Sequence, residues 1–178
     1  MAPHGALFSN RTAVSACQYA GMDNRDRDLS GRPRSARPRD GLGRPLPHGA
    51  RGVERVPDDA VLSPDDAVRQ AQRLIDHGYP FHAHEVFEAV WKATSGEQRE
   101  LWQGLAQLAV GLTHGKRGNP KGAVALLRRG ADRIDAYAGE PPHGLDVAGL
   151  AGHARCLAAR IERDGVAEAA SLRFQLRS

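Results

Sequence analysis

Apolar residues recur at three- and four-residue intervals through most of the chain after Pro57, and no alternating pattern competes with them. Ser63-Pro64-Asp65-Asp66 predicts a helix start: serine caps, proline suits the first turn, and the aspartates sit at the positive end of the helix dipole. Ala67, Val68, Ala71, Leu74 and Ile75 supply an apolar face and Gly78 a stop, which puts the first helix at about 64–77. The second runs from about Phe81 to Thr94. Phe81, His84, Glu88 and Trp91 share one of its faces; Ala83, Val86, Phe87 and Val90 share the other. Both faces are rich in apolar residues, so this helix is expected to be central.

The third helix, about Glu97 to Gly115, carries three stripes. Leu101, Leu105, Leu108 and Leu112 form one, Gly104, Gly111 and Gly115 the second, Gln103, Gln107, Val110 and His114 the third. Each interior glycine costs about 1 kcal/mol against alanine, so a stripe of them implies close approach of another helix, or of a second copy of the chain. Asn119-Pro120 opens a fourth helix reaching Gly139, with Ala123, Leu126, Leu127, Ile134 and Tyr137 inward. Asp146 caps a fifth, which uses Val147, Leu150, Ala154, Leu157 and Ile161 and closes at Gly165. The prediction is an all-α fold, a compact bundle of about five helices over 58–165, with a weakly structured tail at 166–178.

Composition changes the picture in the first third. The 178 residues are 40% hydrophobic and carry a formal charge of +4, but residues 1–57 hold 10 Arg against 5 acidic residues. The segment GRPRSARPRDGLGRPLP has a proline every few residues, which forbids regular structure, so 1–57 reads as a disordered basic arm. The repeated Arg-Pro-Arg at 32–34 and 37–39 suggests an alternative, an arm laid extended along its own domain or a partner. Such an arm can also contact nucleic acid. Met22 opens a new composition and is a candidate translation start. Cys17 and Cys156 form no metal-ligand spacing, and no apolar run approaches the roughly 20 residues that span a bilayer. Without a signal-peptide layout either, the reading is a soluble cytoplasmic protein.

Candidate chemistry gathers on the second and third helices. His84 and Glu88 are one turn apart, and Glu85 lies close by. If the third stripe faces them, His84, Glu85, Glu88, Gln103, Gln107 and His114 make an interior polar cluster, with Trp91 and Trp102 packed beside it. Buried polar groups must be satisfied, so such a cluster is either a ligand site or a network that fixes helix packing. A divalent metal on His84, Glu88 and His114 would support hydrolysis, although HEVFE is not HExxH. General acid–base work by Glu85 or Glu88 with His84 is a further alternative. The leading expectation is a binding or scaffolding role with no committed cofactor. His77, His82, His143 and His153 read as surface or capping residues.

The runs HAHEVFEAVW, ExxLWQGLAQLAVGLTHGKRGN, GAVALLRRGADRI and PPHGLDVAGL resemble the bacterial and archaeal family described as domain of unknown function 309. Ala83, His84, Glu85, Glu88 and Trp91 match that family's EAHExxExxW signature. Gln103, Gly104, Gln107, Ala109 and His114 match its QGxxQxAxAxxH helix, and Gly122-Ala123 follow. The resemblance covers roughly Ser63 to Leu157 and implies a small all-helical bundle whose polar positions act together. The Arg/Pro/Asp arm resembles one found in actinobacterial members. His82 stands where the family commonly has an acidic or small residue.

Overall fold

The computed structural model describes residues 37–55, 57, 62–165 and 172–177. Among them the chain forms five α-helices: α1 (Pro64–Asp76), α2 (Pro80–Ala93), α3 (Arg99–Lys116), α4 (Pro120–Asp135) and α5 (Val147–Asp164). A single 3-10 turn, Pro142–Gly144, precedes α5. The described residues contain no strand, only an isolated bridge between Arg39 and Pro45. The all-α bundle expected from the apolar periodicity is therefore what forms. No helix among these residues is long and apolar enough to cross a membrane.

The helix starts follow the caps. Ser63 accepts from the Asp66 amide, Asn119 from Gly122 and Asp146 from Gly149. Each satisfies an amide that would otherwise lack a partner, for about 1 kcal/mol. Gly78 leaves α1 at φ +81°, a conformation that costs other residues dearly. The fourth helix stops short of Gly139, because Tyr137 leaves the helix and donates to the Glu97 carbonyl at the start of α3.

Each helix packs chiefly on the next in sequence: α1 on α2, α2 on α3, α3 on α4 and α4 on α5. Leu101, Trp102, Leu105, Leu108, Ala109 and Leu112 bury α3 between its neighbours. The glycine stripe is used within the chain. A Cβ added at Gly104 would lie 2.5 Å from Ile134 Cγ2, one at Gly111 2.9 Å from Leu127 Cγ. Gly130 of α4 reciprocates, since its Cβ would meet Leu108 Cδ2 at 2.8 Å and the Gly104 carbonyl oxygen at 2.9 Å. The two backbones thus approach through facing glycines.

Two segments outside the helices complete the core. Residues 172–177 correct the expectation of a weakly structured tail at 166–178, of which 166–171 and 178 lie outside the described residues. Leu172, Phe174 and Leu176 are buried while Arg173 and Gln175 are exposed, the two-residue period of extended chain. Gln72 of α1 holds this segment, its Nε2 donating to the Phe174 carbonyl (3.0 Å) and its Oε1 accepting from the Leu176 amide (2.7 Å). The Leu176 carbonyl accepts from Asp146 at the start of α5 (2.9 Å). Leu172 fills the space over Gly115 of α3. The sequence pattern was too short to outweigh a tail reading.

Residues 37–55 double back on themselves in turns, with Leu46 donating to the Pro38 carbonyl (2.8 Å) and Val53 to the Arg39 carbonyl (2.9 Å), and they contact α2. The reading of disorder for 1–36, and the start at Met22, lie outside the described residues. Asp40 organises a turn by accepting from the Leu42 (2.9 Å) and Arg44 (2.8 Å) amides. Gly43, at φ +76°, packs so closely on Phe81 that a Cβ would lie 2.2 Å from the ring. Arg39 and Arg117 place their guanidinium groups 5.4 and 5.6 Å from the centre of that ring.

Gly130→Ala is expected to lower stability by about 1–3 kcal/mol, because the Gly104 backbone cannot retreat from the new methyl. Gly152→Ala, on open helix surface, is expected to raise it by about 1 kcal/mol. Phe174→Ala should cost about 3–5 kcal/mol, whereas exposed Gln175→Ala should stay within about 0.5 kcal/mol. Urea denaturation of the four variants checks all of these; a stable Phe174→Ala protein would refute the packing of the C-terminal segment.

Candidate functional site

The second helix begins at Tyr79-Pro80, proline again occupying the first turn. Its buried side is His82, Ala83, Val86, Phe87 and Val90; Phe81, His84, Glu85, Glu88 and Trp91 are half-buried. The helix is thus less enclosed than two apolar faces suggested. On α3 the stripe Gln103, Gln107, Val110 and His114 is likewise half-buried. Phe87 and Trp102, with ring centres 6.3 Å apart, bind α2 to α3 through their dry sides.

The closed polar network centres on His82, which corrects its assignment to the surface. His82 is 1% exposed. Its Nε2 lies 2.9 Å from the Asp40 carbonyl and its Nδ1 lies 3.1 Å from Glu85 Oε2. A carbonyl only accepts, so Nε2 donates, and the Nδ1–carboxylate contact needs a proton on one of its two sides. Glu85 also accepts from Arg55 Nε (3.1 Å) and Nη2 (2.8 Å). Burial pushes the Glu85 carboxyl up, but the His82 hydrogen bond and the Arg55 guanidinium outweigh it and hold the group below its ordinary range.

The residues expected to form one cluster separate into several. His84 Nδ1 donates to the Phe81 carbonyl, and Nε2 lies 3.6 Å from Glu88 Oε2, too long for a hydrogen bond. Glu88 pairs with exposed Lys92 at 3.0 Å. His84 and Glu88 are therefore not the buried locking pair; their side chains are 19% and 35% exposed. Gln103 accepts from Arg133 (2.8 Å), which also reaches Glu100. His114 accepts from Asn119 Nδ2 (2.8 Å) at the turn into α4. Gly122 leaves room for that contact, since a Cβ there would fall 2.6 Å from His114 Nδ1.

Among the described residues, no hydrogen bond or ion pair joins His84, Glu88 or Trp91 to Gln103, Gln107 or His114. No three His, Cys, Asp or Glu side chains among them gather as a metal ligand set, so His84, Glu88 and His114 do not form the expected triad. Trp91 lies under Arg99, whose guanidinium sits 4.8 Å from the ring centre and whose Nη1 donates to the Trp91 (2.9 Å) and Thr94 (3.1 Å) carbonyls. Trp102 is the fully buried tryptophan. Indole Nε1 of Trp91 and Oε1 of Gln107 are enclosed and unpaired, a donor and an acceptor left unspent.

Sequence reasoning missed His82, Arg55 and the Asp40 carbonyl. A signal for the first was present: His82 stands four residues before Val86 and eight before Val90, on the stripe that became core. Nothing local announced its partners, which are 30 to 42 residues away from their α2 contacts.

Glu85→Gln is expected to lower stability at pH 7 by about 1.5–3 kcal/mol through loss of charge-assisted hydrogen bonds. Because the folded carboxyl is held down, this contribution is complete above the unfolded value near 4.5 and disappears as pH falls through the lower folded one. Denaturation from pH 7 to pH 3 should show the two proteins converging in acid; a gap independent of pH would refute the ionic network.

Compared with curated proteins and with solved structures, the chain has no match. Residues 68–126 carry the His82–Glu85 turn, the Trp91 face and all of α3, and they match the family model described as Domain of unknown function (DUF309).

Proposed function

We propose that this protein is a binding or scaffolding bundle, whose α2 polar groups hold polypeptide instead of performing a reaction. The network of Asp40, Arg55, His82 and Glu85 carries this reading. Nε2 of the buried histidine and the Glu85 carboxylate are engaged by the chain's own segment at 37–55, and Nδ1 is engaged by that same carboxylate. The imidazole in that state has no free lone pair to offer a substrate, and the carboxylate already takes three hydrogen bonds. The half-open faces of α2 and α3 are the surface on which this reading places a further ligand, while Trp91 Nε1 and Gln107 Oε1 lie enclosed. A reducing, cytoplasmic setting suits the exposed Cys156 thiol.

The reading predicts that His82→Ala lowers the melting temperature far more than His84→Ala. It also predicts faster amide exchange at residues 40–46 in the first variant only. Metal analysis of the purified full chain, with and without His84→Ala, provides the opposing test. Stoichiometric metal lost in the His84 variant, with little change for His82→Ala, would replace the scaffold with a metal-dependent enzyme.

A further inference from the structure

We infer that the cavity between α1 and the C-terminal segment binds a small phosphomonoester. The cavity, ≈ 330 Å³, is lined by Val68, Arg69, Gln72, Arg73, Leu176 and Arg177, with Gln175 at the same segment. That volume is at the lower end of small-molecule sites, which span about 300–1,000 Å³. Its walls are built in place. Gln72 spends both ends of its amide on the Phe174 carbonyl and the Leu176 amide, and Leu176 is 2% exposed. Arg177 is held by donation from Nε (3.1 Å) and Nη2 (2.7 Å) to the His143 carbonyl.

Three arginines therefore border one space, and no acidic residue lines it. Asp65 and Asp66 stand outside the lining and pair with Arg177 Nη2 and Arg69 Nη2. A guanidinium has five donors, so each of these arginines keeps others free. Arg73 makes no side-chain hydrogen bond or ion pair among the described residues. Two of the three charges are thus already met by carboxylates, and Arg73 brings the one that an arriving anion would answer. A carboxylate offers a single charge and two oxygens. A phosphomonoester brings a charge of roughly −1.5 to −2 and three acceptor oxygens, and guanidinium forks match phosphate edges in pairs. Val68 and Leu176 give the floor an apolar surface, suited to the body of the ester. The site is separate from the His82 network and stands or falls independently of the scaffold reading.

Calorimetric titration of the full chain at low ionic strength tests this with phenyl phosphate, inorganic phosphate and benzoate as probes. Phenyl phosphate should bind saturably with one-to-one stoichiometry, at least about tenfold more tightly than benzoate, and more tightly than inorganic phosphate, which leaves the apolar floor bare. The double variant Arg69→Ala/Arg73→Ala, altered only on the exposed face of α1, should keep its melting temperature and lose at least tenfold in affinity. Equal binding of benzoate, affinity unchanged in the double variant, or no saturable binding would overturn the inference. Competition by duplex DNA at lower concentration than phenyl phosphate would overturn it as well, by making the arginines a nucleic-acid contact. If the double variant unfolds, Arg73→Ala alone serves, and unchanged binding there is equally fatal.

Discussion

An imidazole with two hydrogen-bonding nitrogens, set where water does not reach, must find a partner for each. That requirement at His82 governs the side of the bundle on which α2 lies. One nitrogen is answered within the helix by Glu85, a single turn on. The other requires a carbonyl delivered from elsewhere, and the Asp40 turn delivers it. For the turn to arrive, Gly43 must lie flat on Phe81 and Arg39 must donate to the Gly43 carbonyl (2.7 Å). Arg55 then returns to Glu85, so the segment is fastened at two points along one helix. A buried polar network left half-satisfied would be worse than none, which explains why these distant pieces occur together.

The third helix shows how one element can serve three neighbours. Its leucine stripe and Trp102 supply ordinary core, and its glycines let α4 approach. Its glutamine stripe remains half-open. Polar residues on this helix are therefore not evidence of a sealed chamber. They mark the side that the bundle leaves least covered, with Gln103 and His114 drawn toward α4 and its preceding turn.

Helix existence was legible in the sequence because its determinants are local: a capping side chain, a proline in the first turn, an apolar period. Ser63, Asn119 and Asp146 each do in the structure what their positions announced. The glycine stripe was equally readable, although its counterpart Gly130 was not, since one glycine among arginines carries no period. The candidate site was less legible. His84 and Glu88 have the right spacing to pair but sit on the wetter face, while His82 looked superficial beside Phe81. What decides between those positions is the arrival of the segment around Asp40, a contact with no local signature. The alternation in Leu172, Phe174 and Leu176 was visible but too brief to be distinguished from chance.

The segment at 172–177 also determines when the bundle can be closed. Because α1 to α5 associate mainly in series, most of the bundle can assemble as it is synthesised, each helix finding its predecessor. The extended piece that joins Gln72 to the start of α5 is synthesised only after α5 itself. Until it emerges, the apolar surfaces awaiting Leu172, Phe174 and Leu176 stay open to solvent and to chaperones. A chain cut between α5 and Leu172 would thus keep all five helices and never close.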